Sequence, residues 1–91
     1  MQLPILQTGA AAWKAGHRAI QNGAFVFQTS AEDTAYTDLK RFAVDEARRY
    51  LATRYPNAPF TPYERARLLA TYVHAFVNGA FDAVMQEGAG G

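Results

Sequence analysis

The chain contains no cysteine. Disulfides, thiolate catalysis and cysteine-based zinc or iron–sulfur centres are therefore excluded. Serine is almost missing too: Ser30 is the only one, and its best role is a helix cap, so no serine nucleophile constellation exists. No segment approaches the roughly 20 apolar residues needed to cross a bilayer. The stretch Met1 to Leu6 has neither a positive n-region nor a long apolar run, so no signal peptide is expected. A dominant charge is lacking as well, since nine Lys and Arg against eight Asp and Glu leave a formal net charge of +1. That disfavours a dedicated nucleic-acid binder, which concentrates a clear basic excess. Together these absences lead us to expect no cofactor, no metal and no membrane partner, and they fit a cytoplasmic protein.

What remains is helical. Ninety-one residues, 49% apolar and 19% charged, suit a single folded domain. A chain this short buries only about two-thirds of its unfolded surface, so its stability is modest unless a partner adds to it. Residues 1–7, which include Pro4, and the glycine-rich residues 88–91 are expected to fray.

A first helix is predicted over 8–22, ended by Asn22-Gly23, with Leu6, Ala10, Trp13, His17 and Ile20 forming one stripe. The run Ala24 to Phe27 reads either as more helix or as an extended segment across the core, and the helix end near Gly23 favours the latter. A second helix is predicted over 31–55. Ser30 and Asp33 resemble a capping box at its start, and its apolar face is Tyr36, Leu39, Phe42, Ala43, Ala47, Tyr50 and Leu51. Asp45 and Arg49 stand four apart on its solvated face, a pair worth about 0.3–0.5 kcal/mol.

The connection from Tyr55 to Phe60 holds Pro56 and Pro59 and cannot be helical throughout. The strongest local signal follows it. Thr61-Pro62-Tyr63-Glu64 supplies an N-cap, a proline at the first helical position and a glutamate placed to reach back to the cap amide. A third helix is predicted over 62–87, with a stripe of Leu69, Val73, Phe76, Ala80 and Ala83 widened by Leu68, Tyr72, Val77 and Val84. The expected fold is an all-α three-helix bundle with a proline-rich connection between its second and third helices.

Glycines 9, 16 and 23 fall seven apart, near one face of the first helix. An interior glycine costs about 1 kcal/mol against alanine, so Gly16 calls for a reason, and close approach of a second helix is one. Asn78-Gly79-Ala80-Phe81 echoes Asn22-Gly23-Ala24-Phe25, but the two copies should differ in structure if the third helix runs through Gly79.

Three clusters are candidates for function. Arg67, Thr71, His74, Asn78 and Asp82 form a polar stripe on the third helix. A histidine beside a carboxylate suits general-base or metal chemistry, yet His74 and Asp82 are two turns apart, and a solvated face is the plainer reading. His17 would reach His74 only across the bundle. Arg48, Arg49 and Arg54 with interleaved Tyr50 and Tyr55 have the composition for phosphate contacts and base stacking. Tyr55, Phe60 and Tyr63 bracket the proline connection. Eleven Tyr and Phe, with Trp13, are more aromatics than a small bundle can bury, so some should be exposed.

From these we expect a small non-catalytic protein-interaction module: an adaptor, an assembly factor or an inhibitor of a larger complex. The size also fits a phage or mobile-element inhibitor of host machinery. The expected contact residues are Arg48, Arg49, Arg54, Tyr55, Phe60 and Tyr63, facing a protein partner or a second copy in a homodimer. Nucleic-acid association through the arginines of the second helix is the runner-up, and the Arg67–Asp82 stripe is the alternative site.

Overall fold

The computed structural model describes residues 3–27 and 32–90; within it, side chains at 32–34 and 87–90 are not described. Three helices follow in order: α1 (Ile5–Gln21), α2 (Glu32–Arg54) and α3 (Pro62–Gly90). α3 is the centre. Tyr36 stacks on Phe81 while Tyr50 meets Tyr72, so α2 runs antiparallel to α3. Gly9 lies by Thr71 and Gly16 by Phe76, so α1 runs parallel to it. α1 and α2 both pack on α3 and scarcely on each other, which gives an elongated body of 45 × 23 × 16 Å.

The proline connection behaves as its sequence dictates. The Thr61 amide donates to Glu64 Oε1 at 2.8 Å, and the Glu64 amide donates to Thr61 Oγ1 at 3.1 Å, closing the capping box in both directions. Arg65 ties the loop down by donating to the Ala58 carbonyl at 3.3 Å. The Ser30–Asp33 capping expectation falls partly outside the described residues. Helix continues through 5–7 and 88–90, which were expected to fray.

α1 ends at Gln21, and Gly23 adopts φ 76°, the left-handed conformation that closes helices. The Asn22 side chain accepts from the Ala24 amide at 3.0 Å, and the Phe25 amide donates to the Ala19 carbonyl at 3.1 Å. Residues 24–27 are thus not helical. Phe25 turns back against Phe42 and fills the space where α1 and α2 stand apart. Gly79, the second copy of the echo, sits inside α3, so the two copies differ as expected.

The seam between α1 and α3 corrects the expected α1 stripe. Leu6 is 87% exposed, Trp13 is 39% exposed and Ala10 is exposed. The buried face is instead Thr8, Ala12, Gly16 and Ala19. These residues are small because the backbones nearly touch. A Cβ built on Gly16 would overlap the Phe76 carbonyl oxygen, and one on Gly79 would overlap the carbonyl oxygen of Trp13. Hydrophobicity marks where large side chains fill a gap; at this crossing there is no gap. In α3 the buried set is Leu68, Tyr72, Phe76, Val77, Ala80 and Ala83, all on the expected face, while Leu69 and Val73 are half-buried and Val84 is exposed. The α2 face matches expectation except at Tyr36, which is 46% exposed.

Ten of the twelve aromatics form one unbroken chain of ring contacts. It runs Phe60, Tyr55, Tyr50, Tyr72, Phe76, Phe42, Phe25, Phe27, Phe81, Tyr36, with centroids 5.1–6.4 Å apart. The surplus of rings is thereby built into a spine from end to end, most of them half-buried. Such contacts are worth about 0.5–1.5 kcal/mol each beyond their area.

One expectation about α3 also changes. By length and composition, Pro62–Gln86 is apolar enough to cross a membrane. Counting uninterrupted apolar residues missed this because Thr71, Tyr72, His74 and Asn78 interrupt the run without lowering its average much. A core helix that other helices cover meets the same test; α1 and α2 pack on α3, and 39% of its apolar window is buried.

Candidate functional site

Antiparallel packing of α2 on α3 brings the end of one beside the start of the other. Arg48, Arg49 and Arg54 thereby join Arg65 and Arg67, so five of the nine basic residues gather at one end of the molecule. All five are exposed. Helix geometry then divides the expected contact residues. Arg48 turns to one side of α2, where with Arg65 it borders a small cleft of about 260 Å³ floored by Leu51, Ala52, Ala66 and Leu69. Arg49 and Arg54 turn to the other side.

Tyr55 and Phe60 are half-buried. Their rings meet at 5.6 Å, and Tyr55 leans on Tyr50 at 6.4 Å, so they close the end of the aromatic spine. Tyr63 is different: it is 75% exposed.

The cleft on the Arg49 side has a volume of about 480 Å³ and is lined by Glu46, Arg49, Tyr50, Thr53, Arg54 and Tyr72. Glu46 accepts from Arg49 Nη1 at 2.8 Å, replacing the expected Asp45–Arg49 pair. Glu46 is half-buried on the cleft wall, and Arg49 bends inward to meet it, leaving Asp45 outside. Tyr72 is 3% exposed and Tyr50 half-buried. Burial pushes the Tyr72 phenol up to about 12, with the Glu46 carboxylate and Tyr50 adding to it. Burial also raises the Tyr50 phenol, aided by Tyr55 and opposed by Arg54. Both rings therefore keep their hydroxyl protons at neutral pH. Thr8 of α1 is wholly buried beside Tyr50, close enough to act on its phenol, but its hydroxyl makes no hydrogen bond of good geometry.

The polar stripe of α3 divides between two neighbours. Toward α1, the Thr71 hydroxyl donates back to the Arg67 carbonyl at 2.9 Å, and its methyl group lies 3.9 Å from where a Gly9 Cβ would be. Also toward α1, Gln86 donates to Asp82 Oδ2 at 3.2 Å and meets His17 Nε2 through its oxygen at 3.0 Å. His17 stacks on Trp13 at 5.1 Å. Toward α2, His74 and Asn78 line a third cleft of about 370 Å³ with Tyr36, Lys40 and Phe81. The stripe is one face of α3, but α1 and α2 flank it from opposite sides. His74 and Asp82 are thus drawn apart, and the partner of His17 is Gln86 rather than His74. Among the described residues, no three His, Asp or Glu side chains gather as a metal site.

Sequence reasoning missed the grouping of Tyr50, Thr53, Tyr72 and Glu46. A signal was present: a tyrosine in the buried stripe of α3 must place its hydroxyl somewhere, and Tyr72 is the only tyrosine there. No protein-family model, curated protein or solved structure matches this chain.

Proposed function

We propose that this chain is a small non-catalytic protein-interaction module that docks through its arginine-rich end. The observation that carries the reading is Tyr63, 75% exposed in the first turn of α3, at the end of the molecule where the arginines of α2 and α3 gather. Tyrosine and arginine are the residues enriched where binding energy concentrates. An exposed ring beside exposed guanidiniums offers apolar contact and charge together. The module would serve as an adaptor, an assembly factor or an inhibitor of a larger complex.

Affinity capture from the cells of origin tests this, with the chain and its Arg48→Glu, Tyr63→Ser double variant as baits. Both positions are exposed, so the variant should keep its helical circular dichroism. Loss of a captured protein with the variant is the expected result. Equal capture by both baits would remove the proposal.

The same cluster of five arginines favours a second reading, nucleic-acid association. It requires oligonucleotide binding that weakens steeply with salt. Binding indifferent to salt would dispose of it.

A further inference from the structure

The cleft beside Tyr72 is lined by three hydroxyl-bearing side chains, two arginines and one carboxylate. Tyr72 is 3% exposed and lines the cleft. A hydroxyl in this position is costly to leave unpaired. Tyr50, Thr53 and Arg54 line the same space. The only carboxylate there, Glu46, is already engaged by Arg49. Among the described residues Arg54 has no carboxylate partner, so the cleft is left to take an acceptor group carrying negative charge.

Charge selects among anions. Two arginines and one glutamate leave the lining at a net +1. A carboxylate monoanion balances that, whereas a phosphate dianion would face Glu46 with excess charge. Size selects among carboxylates. A space of about 480 Å³ walled by two tyrosine rings takes far more than one carboxyl group, so the group arrives on a larger body with apolar surface. Five arginines at this end attract acidic chains toward it.

We propose that the cleft between α2 and α3 at Tyr50, Arg54 and Tyr72 binds a carboxylate presented by an acidic segment of a protein partner. The proposal rests on the interaction-module reading and assigns the partner's chemistry. Arg54 supplies the charge, and the Tyr72 hydroxyl donates to the carboxylate. Arg49 remains on Glu46 and prevents that carboxylate from repelling the ligand.

The test is a chemical-shift titration of the full chain with four probes. They are a blocked pentapeptide of glutamate and leucine, its glutamine counterpart, inorganic phosphate and a short single-stranded RNA. The glutamate peptide should give saturable shifts at Tyr50, Thr53, Arg54 and Tyr72. Binding should weaken about tenfold or more for the glutamine peptide, for Tyr72→Phe and for Arg54→Gln. Arg18→Gln, on α1, should leave it unchanged. Equal binding of the two peptides, shifts confined to other faces, or no saturation by about 10 mM would overturn the proposal. Tighter binding of phosphate would overturn the carboxylate assignment, and salt-sensitive RNA binding at the same residues would overturn the choice of partner. If no peptide binds but Arg48→Glu, Tyr63→Ser still abolishes capture, the cleft proposal fails and the interaction module stands.

Discussion

Gly16 of α1 lies against the Phe76 carbonyl of α3 with no room for a Cβ between them, and Gly79 repeats the arrangement against Trp13. The contact is reciprocal: each helix offers a glycine to the other's backbone. Each glycine Cα–H points at a carbonyl oxygen, a weak interaction that recurs at close helix crossings. The glycine face is thus occupied within the chain and is not free for a second copy.

Gly16→Ala and Gly79→Ala should each destabilise the fold by roughly 2–4 kcal/mol, measured by urea unfolding. Alanine gains about 1 kcal/mol in helix propensity, but the obstructing atoms are backbone, so the helices themselves must separate. Gly9→Ala is the contrast. Its Cβ would meet only the Thr71 methyl at 3.9 Å, an ordinary contact, so stability should rise by up to about 1 kcal/mol. Destabilisation at all three positions would mean that the crossing is not localised at Gly16 and Gly79.

The capping box gives a second prediction. Thr61→Ala leaves the Glu64 amide without its 3.1 Å partner and should cost about 1 kcal/mol. Glu64→Gln keeps an oxygen for the Thr61 amide and should cost less than Glu64→Ala. Thermal unfolding of the three variants checks the order.

Alkaline pH should weaken the fold through Tyr72. Its phenol ionises near 10 in the unfolded chain and at about 12 in the folded one. The folded state therefore holds its proton where the unfolded state releases it. Stability is fully present below pH 10, falls as pH rises from 10 toward 12, and then levels off, with a loss of roughly 1–3 kcal/mol. In that range the urea midpoint of the parent chain should fall more steeply than that of Tyr72→Phe. A parallel decline in both would place the effect elsewhere.

Thr8→Val should stabilise the protein by about 1 kcal/mol. The variant keeps the shape and removes a buried hydroxyl that makes no hydrogen bond of good geometry. A loss of stability instead would reveal a hydrogen bond between Thr8 and the nearby Tyr50 hydroxyl.

The arginine-rich end was only partly legible in the chain. Arg48, Arg49, Arg54 and Tyr63 stand out because they cluster around a proline connection. Arg65 and the cleft residues do not, because they join that cluster only when α2 folds back on α3. Likewise Trp13 and Leu6 stand out by hydrophobicity, yet the buried face of α1 is its small residues.

Local chemistry is what the sequence determined alone. The proline connection, the Thr61–Glu64 cap, the left-handed Gly23 and the number of helices depend on interactions between residues a few positions apart. Tertiary structure decided everything that depends on distance between helices. It chose a backbone-to-backbone crossing of α1 and α3 over side-chain filling, split the His74 stripe between two neighbours, and set Tyr72 of α3 on the wall of a cleft beside the arginines of α2. Periodicity tells which residues share a face; it carries no information about how closely the facing helix approaches.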